Sequence, residues 1–239
     1  MILFHPTTIK HYSKLGLLVL IAIDTLLALI YFISALTTGE PLTAFNFDRK
    51  WSIPVVYSAI QLLVIGICLV IAAFRKKRSA PLPSRWFLLA VGVGFLDLFI
   101  EKLFKFHSSE LPKFLNSLDW MPRFPGGGGS WIFIYVPAGI IIILLGYRDL
   151  IALWKAYPKG TFITVLGVVL SFAGGVFLDF IYYLFLQVKF AQMAESGNSL
   201  ALILSTLKIT LEEFLEMFGE SITLYGLSLF LVKRLERNI

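Results

Sequence analysis

The fold class this sequence predicts is an all-α integral membrane protein, a bundle of six transmembrane helices in one domain over residues 1–239. Composition is the first ground for it. Of 239 residues, 58% are hydrophobic and 15% charged, with mean hydropathy +0.83, whereas a soluble domain carries about a quarter charged residues. Length is the second. Crossing the hydrocarbon takes roughly 20 apolar residues of helix, and six stretches qualify: 15–36, 52–74, 86–104, 131–154, 161–187 and 205–232. Punctuation is the third. The separators TTGEP, RKKRSAPLPSR, residues 105–130, KAYPKG and ESGNS carry breakers or charge.

The first span follows Lys10 and Lys14, as the apolar part of a signal peptide would. Leu15 to Leu36 is too long for that segment and reads as a retained helix. The second holds Cys68, the one cysteine, which excludes an intrachain disulfide and a multi-cysteine metal site. After the third span, Leu111, Phe114, Leu115 and Leu118 fall at i, i+3, i+4 and i+7 behind Ser109 as a cap. That pattern predicts a short interfacial helix in the long outer loop, with a lid packed over the bundle as the alternative. The loop ends in PGGGGS, residues 125–130, a flexible string that also matches an engineered linker.

Pro137 is expected to bend the fourth span without ending it, since neighbours can satisfy the freed carbonyl. In the fifth, Gly167, Ser171 and Gly175 form a small-xxx-small face that lets helices approach closely in lipid. VGVGFLDLFI (91–100) and FAGGVFLDFI (172–181) share small residues before Phe-Leu-Asp, either a trace of internal repetition or coincidence.

Six crossings put both termini on one side. Thirteen Lys and Arg residues fall on that side, among them Arg75, Lys76, Lys77 and Arg78 in a short loop, against eight on the other. The positive-inside rule then makes both termini cytoplasmic, in a bacterial inner membrane or an organelle. The net charge of +6 sits at span ends, so it is no nucleic-acid footprint.

Acids inside the spans are the anomaly. Eight of fifteen lie there: Asp24, Asp97, Glu101, Asp179, Glu212, Glu213, Glu216 and Glu220. At roughly 2.5–3.5 kcal/mol for each central charge, they would cost on the order of ten kcal/mol or more. Asp97 and Glu101 are i, i+4 on the third span; Glu213, Glu216 and Glu220 are i, i+3 and i+7 on the sixth, and Glu212 joins Glu216 at i+4. With the spans oriented as above, three helices deliver carboxylates to a similar depth. The expectation is a hydrated acidic cavity in the outer half of the bundle.

Three resolutions of so much negative charge are available: protonation, a divalent cation (Ca, Mn, Mg or Zn), or neutralisation by Lys102, Lys208 or a cationic substrate. The candidate cation ligands are Asp97, Glu101, Asp179, Glu213 and Glu216, with Glu212, Glu220, Asp24 and His107 as further candidates. Plainer readings stand beside some of them. Asp24 makes a polar contact between helices, Glu212 pairs with Lys208 four residues earlier, and His107 is an ordinary interfacial histidine. His5 and His11 lie outside the spans. No H-E-x-x-H, G-x-S-x-G or Walker lysine loop occurs.

The order from Trp131 onward, YRDLIALWKAYPKG, a glycine-rich span with one acid, then LEEFLEMFGESITLYGL, resembles a group of uncharacterised bacterial multi-pass membrane proteins. Their last helix is similar to E-E-x-x-E-M-x-G, matched by Glu212, Glu213, Glu216, Met217 and Gly219. The group carries a D-E…H-E pattern in its third span; here Leu98 follows Asp97 and that span has no histidine. The resemblance implies architecture and the last-helix acids, and no activity.

Cation- or proton-coupled transport is the leading functional expectation. An intramembrane metal-dependent hydrolase is an alternative; the di-iron plan is disfavoured because it uses Glu-x-x-His pairs. The other alternative is a non-catalytic subunit or lipid-binding partner of a membrane complex. Expected partners are the bilayer and a second copy or a larger complex, and not nucleic acid.

Overall fold

Apolar periodicity and terminal charge resolve into eight helices in the computed structural model, which describes residues 6–74, 83–106, 110–125, 128–196 and 199–236. They are α1 (Pro6–Thr38), α2 (Ile53–Phe74), α3 (Arg85–Phe104), α4 (Glu110–Asn116), α5 (Ile132–Leu145), α6 (Tyr147–Ala156), α7 (Pro158–Glu195) and α8 (Ser199–Glu236). No strand occurs among the described residues.

Among the described residues, four helices are long and apolar enough to cross a membrane: Thr8–Thr38, Ile53–Phe74, Pro158–Glu195 and Ser199–Lys233. The pair α5 and α6, bent by 63°, makes a fifth if counted as one span. The expected six are thus reduced to four or five by length and composition. The shortfall is α3, whose every 18-residue window contains Asp97, Glu101 and Lys102.

α8 is the hub. It packs along α7, α1 and α2, while α2 also packs along α3. The α7–α8 contact is a seam of small residues. A Cβ on Gly174 would lie 2.6 Å from the Glu212 carbonyl oxygen, and one on Gly219 would lie 2.5 Å from that of Gly167. The expected face of Gly167, Ser171 and Gly175 is therefore in contact, extended by Gly160 and Gly174 on α7 and by Gly219 and Gly226 on α8.

α7 is not a plain α-helix. Ala173–Leu178 and Tyr182–Leu186 are π-helical, with Asp179–Ile181 between them. In an α-helix a residue five positions on is turned by roughly 500°, or about 140° off the starting face. A π turn closes i to i+5, which returns Asp179 toward the face occupied by Gly174. Apolar periodicity alone does not show this.

The span expected over 131–154 breaks at Gly146, not at Pro137, which lies within α5. Pro137 removes the bond to the Phe133 carbonyl, yet the helix runs on through it to Leu145. At Gly146 a Cβ would meet the Phe87 ring. The aliphatic face of α5 is left uncovered by protein, with Leu145 81% exposed.

α4 packs as a lid. Leu115 is buried, and Leu111 joins a cluster of Phe124, Trp131 and Ile132 with Val176 and Tyr183 of α7. Phe114 of the predicted stripe faces outward instead. Gly128 and Gly129 lie against the Tyr183 ring, where a Cβ on either would come within 2.5 Å, and Gly129 has φ +74°. This part of the glycine string is a packing element. Ser109 lies outside the described residues.

Candidate functional site

The acids of α8 are cross-linked by two lysines. Lys102, in the last turn of α3, donates to Glu213 at 2.8 Å and to Glu216. Lys208, one turn before the acidic run, donates to Asp179 of α7 and to Glu212 four residues on. Its ammonium also sits 4.8 Å from the centre of the Tyr182 ring. Asp179 is only 4% exposed, and Lys102 and Glu213 are buried too. Glu216 packs against Gly175, so the glycine makes room for a carboxylate as well as for a helix.

One turn further along α8, hydroxyls replace lysines as donors. Ser58 Oγ of α2 lies 3.0 and 2.8 Å from the two oxygens of Glu220. A hydroxyl has one proton to donate, so it serves one of these oxygens, and the other pairing closes when the carboxyl carries a proton. Beside it, Asp24 of α1 is fully buried and accepts from Tyr57 Oη of α2 and Ser221 Oγ of α8, both at 2.8 Å. Gln61 Nε2 donates to Ser221 Oγ at 3.3 Å. Thr25, next to Asp24, turns its hydroxyl back to its own helix, at the Ile21 carbonyl.

These groups form a column. From Lys208 to Ser221 is 13 residues along one helix, about 20 Å of rise. The order is Lys208 with Asp179 and Glu212; Lys102 with Glu213 and Glu216; Glu220 with Ser58; then Ser221, Asp24, Tyr57 and Gln61. Past Ser221 the interior becomes apolar, with Ile65, Leu227 and Phe230 packed together beside Leu153 and Tyr157.

Asp179, Glu212, Glu213, Glu216, Glu220 and Asp24 thus belong to one assembly. Asp97 does not: it is exposed on α3. The parallel between the two Phe-Leu-Asp stretches stops there, since Asp179 is turned inward by the π turn and Asp97 is not. Glu101 is buried on the same helix as Lys102. His107 lies outside the described residues. Among the described residues, no group of three or more His, Cys, Asp or Glu side chains is arranged to hold a metal ion.

The partners missed from sequence are Ser221 of α8 and, on α2, Tyr57, Ser58 and Gln61. The signal of those on α2 is present: YSAIQ puts three polar groups within one turn or so of an otherwise apolar span, and Tyr57 and Gln61 share a face at i, i+4.

With the site in view, comparison with known proteins places the chain. The family model described as Domain of unknown function (DUF8692) matches residues 15–231. The chain belongs to that family. No curated protein and no solved structure matches it. The matched region takes in every member of the polar column, from Asp24 to Ser221, and both lysines.

Proposed function

We propose that the protein is a proton- or cation-coupled transporter whose moving charge is carried by the column on α8. One observation carries the reading: six carboxyls are stacked along α8, with Asp179, Glu212, Glu213 and Glu216 paired to two lysines and Glu220 and Asp24 bonded to hydroxyls. Fully ionised, that set would hold four uncompensated negative charges in an apolar bundle, which is strongly unfavourable. Protons or bound cations make up the balance, and groups that exchange them are stepped over about 20 Å of helix. The apolar cluster of Ile65, Leu227 and Phe230 acts as the gate at the far end of the column.

Six crossings fit this reading. α3 has 20 residues, about 30 Å of helix and long enough to span. Lys102 is paired to carboxylates of α8, so part of its charge is cancelled inside the bundle. With α3 as the third crossing and α5 with α6 as the fourth, both termini lie on the basic, cytoplasmic side.

The test is flux in proteoliposomes. An imposed pH or cation gradient collapses faster with wild-type protein than with empty vesicles, and Glu220→Gln with Asp24→Asn removes the difference. Isothermal titration of Ca²⁺, Mn²⁺, Zn²⁺ and Mg²⁺, with Glu213→Gln and Glu216→Gln as controls, tells cation from proton. No flux and no saturable binding would abandon transport. The doubly bridging lysines would then favour the second reading, a non-catalytic subunit whose buried ion pairs fix helix register.

A further inference from the structure

Helix α6 has two faces that differ in chemistry. Tyr147, Ile151 and Trp154 fall at i, i+4 and i+7, and each is about half exposed, at 50%, 50% and 49%. Arg148 and Lys155, both exposed, flank that stripe, and exposed Lys159 follows at the start of α7. The opposite face is anchored. Asp149, 7% exposed, accepts from the backbone N–H of Ser84 and from Ser84 Oγ at 2.9 Å, at the N-terminus of α3. Leu153 packs with the cluster of Ile65, Leu227 and Phe230. The acid is turned in and the bases are turned out.

The bend sets the height of this helix. α5 has 14 residues and α6 has 10, meeting at 63°. Along the axis of α5 the pair rises about 21 Å and then roughly 7 Å more. That sum is close to the thickness of the hydrocarbon, so α6 leaves the acyl layer at a shallow slope. An aromatic and aliphatic stripe flanked by basic residues, at that height, matches the interface of a bilayer with anionic headgroups.

We propose that α6 is an anionic-phospholipid-binding element: Arg148, Lys155 and Lys159 hold headgroup phosphates while Tyr147, Ile151 and Trp154 enter the acyl layer. Arg148 and Lys155 each lie one residue from a member of the stripe, and their stems reach the headgroups by snorkelling. The Asp149–Ser84 latch ties lipid occupancy to the start of α3, the helix that carries Lys102. This proposal does not depend on the transport reading.

Native mass spectrometry of the purified full-length protein, titrated with phosphatidylglycerol or phosphatidylcholine of matched acyl chains, tests it. Wild type binds the anionic lipid on the order of a hundredfold more tightly, and Arg148→Gln, Lys155→Gln and Lys159→Gln each remove about fivefold of that preference. Equal affinity for the two lipids, or a preference that survives the triple variant, overturns it. So does an equal loss when Arg49, Lys50 and Lys113 at the other end are changed to Gln, because net charge alone would then explain the preference. As a second measurement, a nitroxide on Ile151→Cys in a Cys68→Ser background reports acyl-level depth in vesicles. A label reporting bulk water overturns the proposal independently.

Discussion

Lys102 of α3 donates to both Glu213 and Glu216 of α8, so a single ammonium joins α3 to the hub of the bundle. Removing one member of a buried pair leaves the other charge uncompensated, at a cost of about 3–5 kcal/mol. Lys102→Met is therefore expected to lower the thermal unfolding midpoint sharply in detergent. Adding Glu213→Gln should recover much of the loss, because the two changes act on one interaction. Additive losses would show that the lysine and the carboxylate act separately.

Tyr57 is the donor from α2 to Asp24. Tyr57→Phe deletes that hydroxyl while keeping the ring, and a lost hydrogen bond of this kind costs about 1–3 kcal/mol when it leaves a buried acceptor short of a donor. Asp24→Asn should be milder, since the amide oxygen can still accept from Ser221. The order Tyr57→Phe more destabilising than Asp24→Asn, read by chemical unfolding, is the expected outcome.

How much of this is legible in the sequence follows from what a one-dimensional pattern records. Helix existence, and the inward face of Glu213, Glu216 and Glu220, follow from composition and a 3.6-residue repeat. The pairing of Glu212 with Lys208 is visible as i, i+4 spacing, and the small-residue seam as Gly167, Ser171 and Gly175. What is not legible depends on three dimensions. Asp97 and Asp179 share a local sequence, yet only the second sits beyond a π turn that swings it to α8. Lys102 is legible as a cation available to the acids, yet sequence alone does not show that its long stem reaches Glu213 and Glu216 together.

The α7–α8 seam predicts an asymmetric response to size. Gly219 faces the Gly167 carbonyl so closely that a Cβ would lie at 2.5 Å, and relief would require separating two backbones. Gly219→Leu should destabilise by about 1–3 kcal/mol or more through overpacking. A Cβ added at Gly94 or Gly139 would meet nothing within 4 Å, so Gly94→Ala and Gly139→Ala should be neutral or slightly stabilising. Unfolding in mixed micelles of increasing sodium dodecyl sulfate fraction compares the three on one scale.

The π turn over Ala173–Leu178 makes the most specific prediction, because its extra residue is a register device. Deleting Val176 would let the segment close as an α-helix, and Asp179, then four residues after Gly174, would lie about 400° on and keep its face. Asp179 would stay with Lys208, and Tyr183 with the ring cluster under the lid, whereas inserting an alanine after Val176 would rotate everything after it by about 100°. Cysteines at 179 and 208 in a Cys68→Ser background are bridged by a short bifunctional thiol reagent only if the native register holds. The native length and the deletion should both cross-link rapidly and the insertion little or not at all, while Gly175 and its contact with Glu216 remain upstream of the change. Loss of cross-linking in the deletion would mean that the extra residue is not what returns Asp179 to the face of Gly174, and that the π turn does not direct it into the column.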